Sequence, residues 1–226
     1  MGHGGGHEIG AHHLAQFAGM TFHMDTLYMT WLTMAIVIII AILATRRLKL
    51  VPSGWQNVLE IVFEALINQV RDTMGPKGSK FAPFIITLFI FLLVANWLGL
   101  VPGFASPTSD LNTTLGLALM VIVMVQIVGI VHKGLGSYLG HFIKPTPFFL
   151  PINIIEELSK PLTLSFRLFG NIMAGEILII VLGKLVPYFV PTLWLAFSVF
   201  VGVIQAFIFT ILSMSYLSSG LNDESH

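Results

Sequence analysis

The chain has 226 residues, of which 55% are hydrophobic and only 10% charged, at a mean hydropathy of +0.88. A soluble domain carries roughly a quarter charged residues to cover its surface, so a soluble protein built on one large core is excluded and lipid must replace water over much of the outside. Eleven basic residues balance eleven acidic ones, which recommends neither nucleic acid nor a strongly charged soluble partner, and the absence of cysteine excludes disulfides, thiolate metal sites and cysteine nucleophiles.

Residues 1–26 read as a tail outside the membrane. The tail opens on Gly2 to Gly6 and carries His3, His7, Glu8, His12 and His13. Those residue types ligate metals, but a stretch with so little to bury reads sooner as a mobile Gly-rich terminus than as a metal site. Neither this glycine run nor Gly75 to Ser79 has the spacing and terminal Lys-Ser/Thr of a phosphate loop. No nucleotide and no cofactor is expected on this chain.

A hydrocarbon core about 30 Å thick needs about 20 mostly apolar helical residues, because lipid offers backbone polar groups no other partner. Five stretches qualify, roughly Leu27 to Ala44, Phe84 to Leu100, Thr113 to Val131, Leu162 to Val186 and Thr192 to Leu217. The first follows a tail without Lys or Arg and precedes Arg46, Arg47 and Lys49, so it reads as a retained span rather than a cleaved signal. Between the first two spans, Trp55, Val58, Leu59, Val62, Phe63, Leu66 and Val70 recur at steps of three and four, with Gln56, Asn57, Glu60, Glu64 and Asp72 on other faces. This predicts an amphipathic helix near 54–73, lying in the cytoplasmic interface or packed on another soluble subunit.

Basic residues near span ends favour the cytoplasmic side. They cluster in the connection holding Arg46, Arg47, Lys49, Arg71, Lys77 and Lys80 and in the one holding Lys133, Lys144 and Lys160, while the loop from Val101 to Asn112 has none. The N-terminus is therefore expected outside, as is the turn around Pro187 to Pro191, and the C-terminus with Asp223 and Glu224 inside. The fold class is an all-α integral membrane protein: five transmembrane helices plus one interfacial amphipathic helix, in a single membrane domain over residues 27–226.

Arg167 stands inside an apolar stretch, where an arginine costs about 2.5–3.5 kcal/mol on insertion scales and usually faces a water-filled cavity or a charge partner. Near the interface it would instead snorkel. One step of four places Asn171 above Arg167, and two turns back lies Lys160. Glu176 follows nine residues later, on the opposite face and about 13 Å further outward, so the two charges are not a simple ion pair. In the last stretch Ser198, Gly202, Ala206 and Thr210 form a small-residue stripe suited to close helix packing. Gln205 lies beside it, as an interhelical hydrogen-bonding residue or as part of a polar path. Asn96 and Gln126 are weaker signals that also need polar company.

The run Ser159-Lys160-Pro161-Leu162-Thr163-Leu164-Ser165-Phe166-Arg167-Leu168-Phe169-Gly170-Asn171-Ile172-Met173-Ala174-Gly175-Glu176 closely resembles the core motif of the a subunit of F-type ATP synthases. Pro107-Thr108-Ser109-Asp110-Leu111-Asn112-Thr113-Thr114 and Gln205-Ala206-Phe207-Ile208-Phe209 are similar to that family too, in the same order. The resemblance implies a non-catalytic, ion-translocating stator subunit that couples proton or sodium flow to rotation and ATP synthesis. It implies an essential stator arginine at Arg167, a polar neighbour at Asn171, and ion-pathway residues at Glu176 and Gln205. Ser198 departs from the pattern, since some members carry a histidine there. A long, strongly tilted final helical pair, a c-subunit ring, peripheral-stalk b subunits, membrane lipid and a bacterial plasma-membrane setting are implied as well. Two rival classes remain: a secondary transporter in which Arg167 binds an anionic substrate at the midplane, which no internal repeat supports, and a structural anchor, which gives Arg167 no purpose.

Overall fold

A computed structural model of the protein describes residues 14–17, 20–45, 54–101, 104, 106–134, 136, 138, 140, 147–186 and 189–221. The histidine cluster with Glu8, Arg46, Arg47, Lys49, Lys144, Pro187, Asp223 and Glu224 lie outside the described residues. Ahead of the first span stands a small antiparallel hairpin, β1 (Leu14–Phe17) on β2 (Met20–His23), with Leu14 opposite His23. The sequence pattern gave no sign of it; everything else regular among the described residues is helical.

Five helices are long and apolar enough to cross a membrane. Helix α1 (Met24–Thr45) is apolar all round, and only Thr26 and Thr33 are buried. Thr30 and Thr33 donate to the carbonyls of Thr26 and Met29 at 2.7 and 2.8 Å, which satisfies hydroxyls that lipid would leave unpaired. Helix α2 (Trp55–Gly78) is interrupted at Gly75, whose φ of 67° belongs to the left-handed region that glycine enters freely. Pro76 then restarts the chain, and a 3-10 turn at Ser79–Phe81 leads into α3 (Ala82–Leu98).

The amphipathic stripe of α2 is used in two ways. Leu66, Val70 and Met74 are buried in the core, and Ser218 reaches over to donate to the Thr73 carbonyl at 2.9 Å. Towards the start of the helix Val58 and Ile61 stay 51% and 58% exposed. The second half of α2 is thus part of the bundle, while the first half offers an apolar surface to its surroundings.

Helix α4 (Leu111–Lys133) starts at an aspartate cap, with Asp110 Oδ1 accepting from the Asn112 amide at 2.9 Å, the usual remedy for an unpaired first turn. Helix α5 (Leu150–Leu185) begins well before the expected Leu162, because Pro161 lies within it rather than ending it. Proline φ suits a helix, and the loss is confined to one hydrogen bond, to the carbonyl four residues back. Helix α6 (Phe189–Leu221) completes the bundle. With 36 and 33 residues, α5 and α6 measure about 54 and 50 Å at 1.5 Å per residue, well beyond a core about 30 Å thick. Such lengths are accommodated by tilting or by extending past the bilayer.

The buried core joins α2, α3, α4 and α6, through residues such as Val70, Ile85, Leu92, Val121, Phe209 and Leu217. Helix α5 gives it only Leu164 and Leu168. Two glycines allow close approaches at one end: a Cβ on Gly220 would lie 3.3 Å from the Val125 carbonyl oxygen, and one on Gly129 would lie 2.6 Å from the Tyr138 ring.

Candidate ion pathway

At 100° per residue, Pro161, Leu164, Ser165 and Leu168 form one line along α5, and all four are buried. Continued towards the C-terminal end of α5, the same line passes through Ile172, Gly175, Glu176 and Ile179, with Asn171 on its edge. Here it no longer meets a solid core. These residues form one wall of a cavity of about 90 Å³ whose other wall is Asn96, Gly99 and Leu100 from α3 and its exit, and Trp194, Phe197, Ser198, Val201 and Gly202 from α6. A single water needs roughly 10–15 Å³ on this measure, so several fit beside the Glu176 carboxyl.

The cavity rests on a buried polar loop. Asn96, 1% exposed, donates to the Gly202 carbonyl at 3.0 Å and accepts from the Thr108 hydroxyl at 3.3 Å. Thr108 meets Ser106 at 2.7 Å, and Ser106 donates to the Ala95 carbonyl at 3.0 Å. Thr26 of α1 donates to Asp110 at 3.3 Å. The 3-10 turn Pro107–Ser109 packs against α5.

Arg167 points elsewhere. It is exposed, flanked by the exposed Leu162 and Phe166, and lines an outward-facing groove with Ser159 and Thr163. Among the described residues no hydrogen bond or ion pair reaches its guanidinium. Four residues turn the helix 40° past a full circle, and that offset parts Asn171, which lines the cavity, from Arg167, which does not. Glu176 is half a turn away from the arginine.

The structure therefore brings together three of the sequence candidates, Asn171, Glu176 and Ser198, and leaves Arg167 on a separate face. Gln205 is a third environment: it is 6% exposed, away from the cavity lining, and its side-chain nitrogen has no partner among the described residues. Gly202, Ala206 and Thr210 are buried, so the small-residue stripe is the packing face of α6. The Trp194 indole nitrogen, at the cavity, is also buried without a partner among the described residues. An indole N–H only donates, and cavity water is a suitable acceptor.

Sequence reasoning missed a second polar cluster at the other end of the bundle. Gln126 of α4 donates to Glu157 of α5 at 3.1 Å and accepts from the Tyr138 hydroxyl. Glu157 pairs with Lys160, whose ammonium lies 5.8 Å from the centre of the Tyr216 ring on α6. A signal existed, since Glu156 and Glu157 interrupt the apolar run from Leu150 to Leu158. Burial and the Glu157 charge push the Tyr138 hydroxyl above its ordinary pKa of 10.0. No group of three or more metal-ligating side chains occurs among the described residues.

Comparison with known proteins fits this geometry. The family described as ATP synthase A chain matches residues 27–218. ATP synthase subunit a 1 of Crocosphaera subtropica is 46% identical over 199 residues, covering 87% of this chain and 86% of the relative. Subunit a 2 of Syntrophotalea carbinolica is 46% identical over 201 residues, covering 87% and 85%, and subunit a of Moorella thermoacetica 41% over 195 residues, covering 86% and 89%. The chain belongs to the ATP synthase A chain family and is a multi-pass, non-catalytic membrane subunit of that complex.

Proposed function

We propose that this subunit carries ions to and from a rotor through two half-channels separated by Arg167. The observation that carries this reading is the split on α5: a guanidinium on an exposed apolar face, without a partner among the described residues, and a carboxylate half a turn away in a cavity with room for water. Helix α6 also exposes Phe200, Ile204, Phe207 and Ile208, an apolar surface suited to the lipid-like flank of a c-subunit ring. Peripheral-stalk b subunits and lipid cover the remaining apolar helices.

A rotor carboxylate travels through lipid only when neutral, and must release its ion where it meets the stator. Arginine keeps its charge in proteins, and an opposite charge nearby favours the ionised carboxylate by about 1–3 pKa units. At about 4 Å and an effective dielectric of about 20 the attraction is roughly 4 kcal/mol, enough to promote release yet escapable. The same charge repels a free cation that would pass between the half-channels, so ions travel with the rotor. Each elementary charge crossing 100 mV delivers about 2.3 kcal/mol.

The outer half-channel is assigned to the cavity with Glu176, Asn171 and Ser198, the inner one to the cluster around Gln126 and Glu157. Proton or sodium is the transported ion. This orientation puts the N-terminus outside and the C-terminus in the cytoplasm of a bacterial cell. The test is Arg167→Ala in the complex reconstituted into liposomes: ATP-driven pumping is abolished and passive leak appears. Arg167→Lys also fails, because an ammonium lacks the planar fork and loses its proton when desolvated. Coupled synthesis at the normal rate in Arg167→Ala overturns the reading.

A further inference from the structure

We infer that Trp194 is a positioning residue for the outer carboxylate: its indole N–H holds one water at the wall of the Glu176 cavity and turns both hydrogens of that water into the cavity, where the carboxylate accepts. The inference rests on the reading of Glu176 as the ion-accepting group of the outer half-channel.

Trp194, Phe197, Ser198 and Val201 follow one another at helical spacing on a single face of α6, and all four line the cavity. That face is turned towards Asn171, Gly175 and Glu176 of α5, which line it too. The indole is set against Phe197, with ring centres 5.3 Å apart and planes at 42°, which restrains how it can turn. Its nitrogen is buried and has no partner among the described residues. Trp97, by contrast, donates its indole N–H to the Val199 carbonyl at 3.2 Å. Asn96, also in the lining, is engaged at both ends, by the Gly202 carbonyl and the Thr108 hydroxyl. The Trp194 donor is thus left to water, and because the nitrogen is buried rather than open to the cavity at large, its acceptor is a single held molecule.

An indole N–H donates and never accepts. A water bound to it gives up a lone pair, so both of its O–H bonds point away from the ring, towards the acceptors of the cavity. The carboxylate of Glu176 is the charged one among them, and a hydrogen bond to a charged group is the stronger kind. The engaged lone pair also makes this water a poor place for an extra proton to rest. A proton arriving from outside therefore passes through it: the water gives one hydrogen to Glu176 and takes one from its outer neighbour. The water is unchanged in composition, and Glu176 is neutral.

The test is made on the complex reconstituted into liposomes, with Trp194 replaced by benzothienylalanine, which keeps the shape of the side chain and puts sulfur in place of the N–H. Proton flux driven by a diffusion potential is expected to fall about five- to tenfold, the scale of one hydrogen bond. Infrared difference spectra between ionised and neutral Glu176 are expected to contain a band of held water, identified by its shift in oxygen-isotope-labelled water, and to lose it in the replaced protein. Glu176→Gln loses the same band. Unchanged flux in the replaced protein overturns the role of Trp194, and so does a water band that persists there, even where flux falls. A wild type that carries sodium and no protons overturns it as well. If Glu176→Gln leaves the dependence of flux on outside pH unchanged, the outer half-channel itself is misassigned; if Glu176→Gln alters it and the benzothienylalanine protein behaves as wild type, only the tryptophan fails.

Discussion

Three polar residues of α5 and α6 meet three different fates, and the difference is one of angle and depth. Glu176 has a cavity with room for water, Arg167 has an open face, and Gln205 has neither, with its side-chain nitrogen buried and unpaired among the described residues. An unsatisfied buried donor costs about 1–3 kcal/mol, so Gln205 lowers the stability of the chain that contains it. Gln205→Leu, similar in size and without the stranded donor, is expected to leave the thermal midpoint of the solubilised complex unchanged or higher. Ion flux is expected to fall in the same variant if Gln205 serves the pathway. A midpoint that drops by several degrees would show that the amide has a structural partner and no reason to be read as functional.

At the scale of elements, the end of the bundle opposite the Glu176 cavity is fastened by an aromatic ring. Tyr138 lies against Gly129 so closely that an added Cβ would stand 2.6 Å from the ring, and its hydroxyl binds Gln126, which binds Glu157. Gly129→Ala is expected to displace the ring and lower stability by about 1–3 kcal/mol, the cost of overpacking, readable in thermal melting. The tyrosine also makes this fastening sensitive to alkali. Its folded pKa is raised above 10.0 by burial and by Glu157, so its contribution is intact below pH 10 and is lost as pH rises through the raised value. Wild type is expected to lose stability more steeply above about pH 10 than Tyr138→Phe; equal alkaline slopes count against the contact. None of this was legible in the sequence, because Tyr138 lies in a connection where periodicity says nothing. The five spans were legible, since lipid demands long apolar helices, and so was the amphipathic stripe of α2. The early start of α5 was not: Pro161 reads as a terminator, yet a proline inside a helix removes one hydrogen bond and leaves the rest. The shared cavity of Glu176, Asn171 and Ser198 needed the third dimension, because its second wall comes from α3 and α6. The 40° offset that separates Asn171 from Arg167 was present in the spacing, but only packing decides which side of it becomes a wall.

For the whole molecule, the asymmetric charge of the loops predicts an N-outside, C-inside arrangement, and the absence of cysteine makes it easy to check. Single cysteines at Asn112 and at Lys133 are expected to react with a membrane-impermeant maleimide from opposite sides, Asn112 from the outside only. Labelling of the Asn112 position from the cytoplasm alone would reverse the arrangement and with it the assignment of the two half-channels. The core is as lopsided as the charge: α2, α3, α4 and α6 hold one another, while α5 contributes only Leu164 and Leu168 and leaves Ile155, Leu158, Leu162 and Phe166 uncovered. The helix that bears the arginine thus leaves much of its apolar surface for another chain to cover. A solitary copy would hold a bare guanidinium towards hydrocarbon at a cost of about 2.5–3.5 kcal/mol, a penalty that disappears only when a rotor is seated. Proteolytic surveillance acts on such uncovered segments, so the cellular lifetime of the subunit would follow the supply of its rotor, and copies made in excess would be cleared.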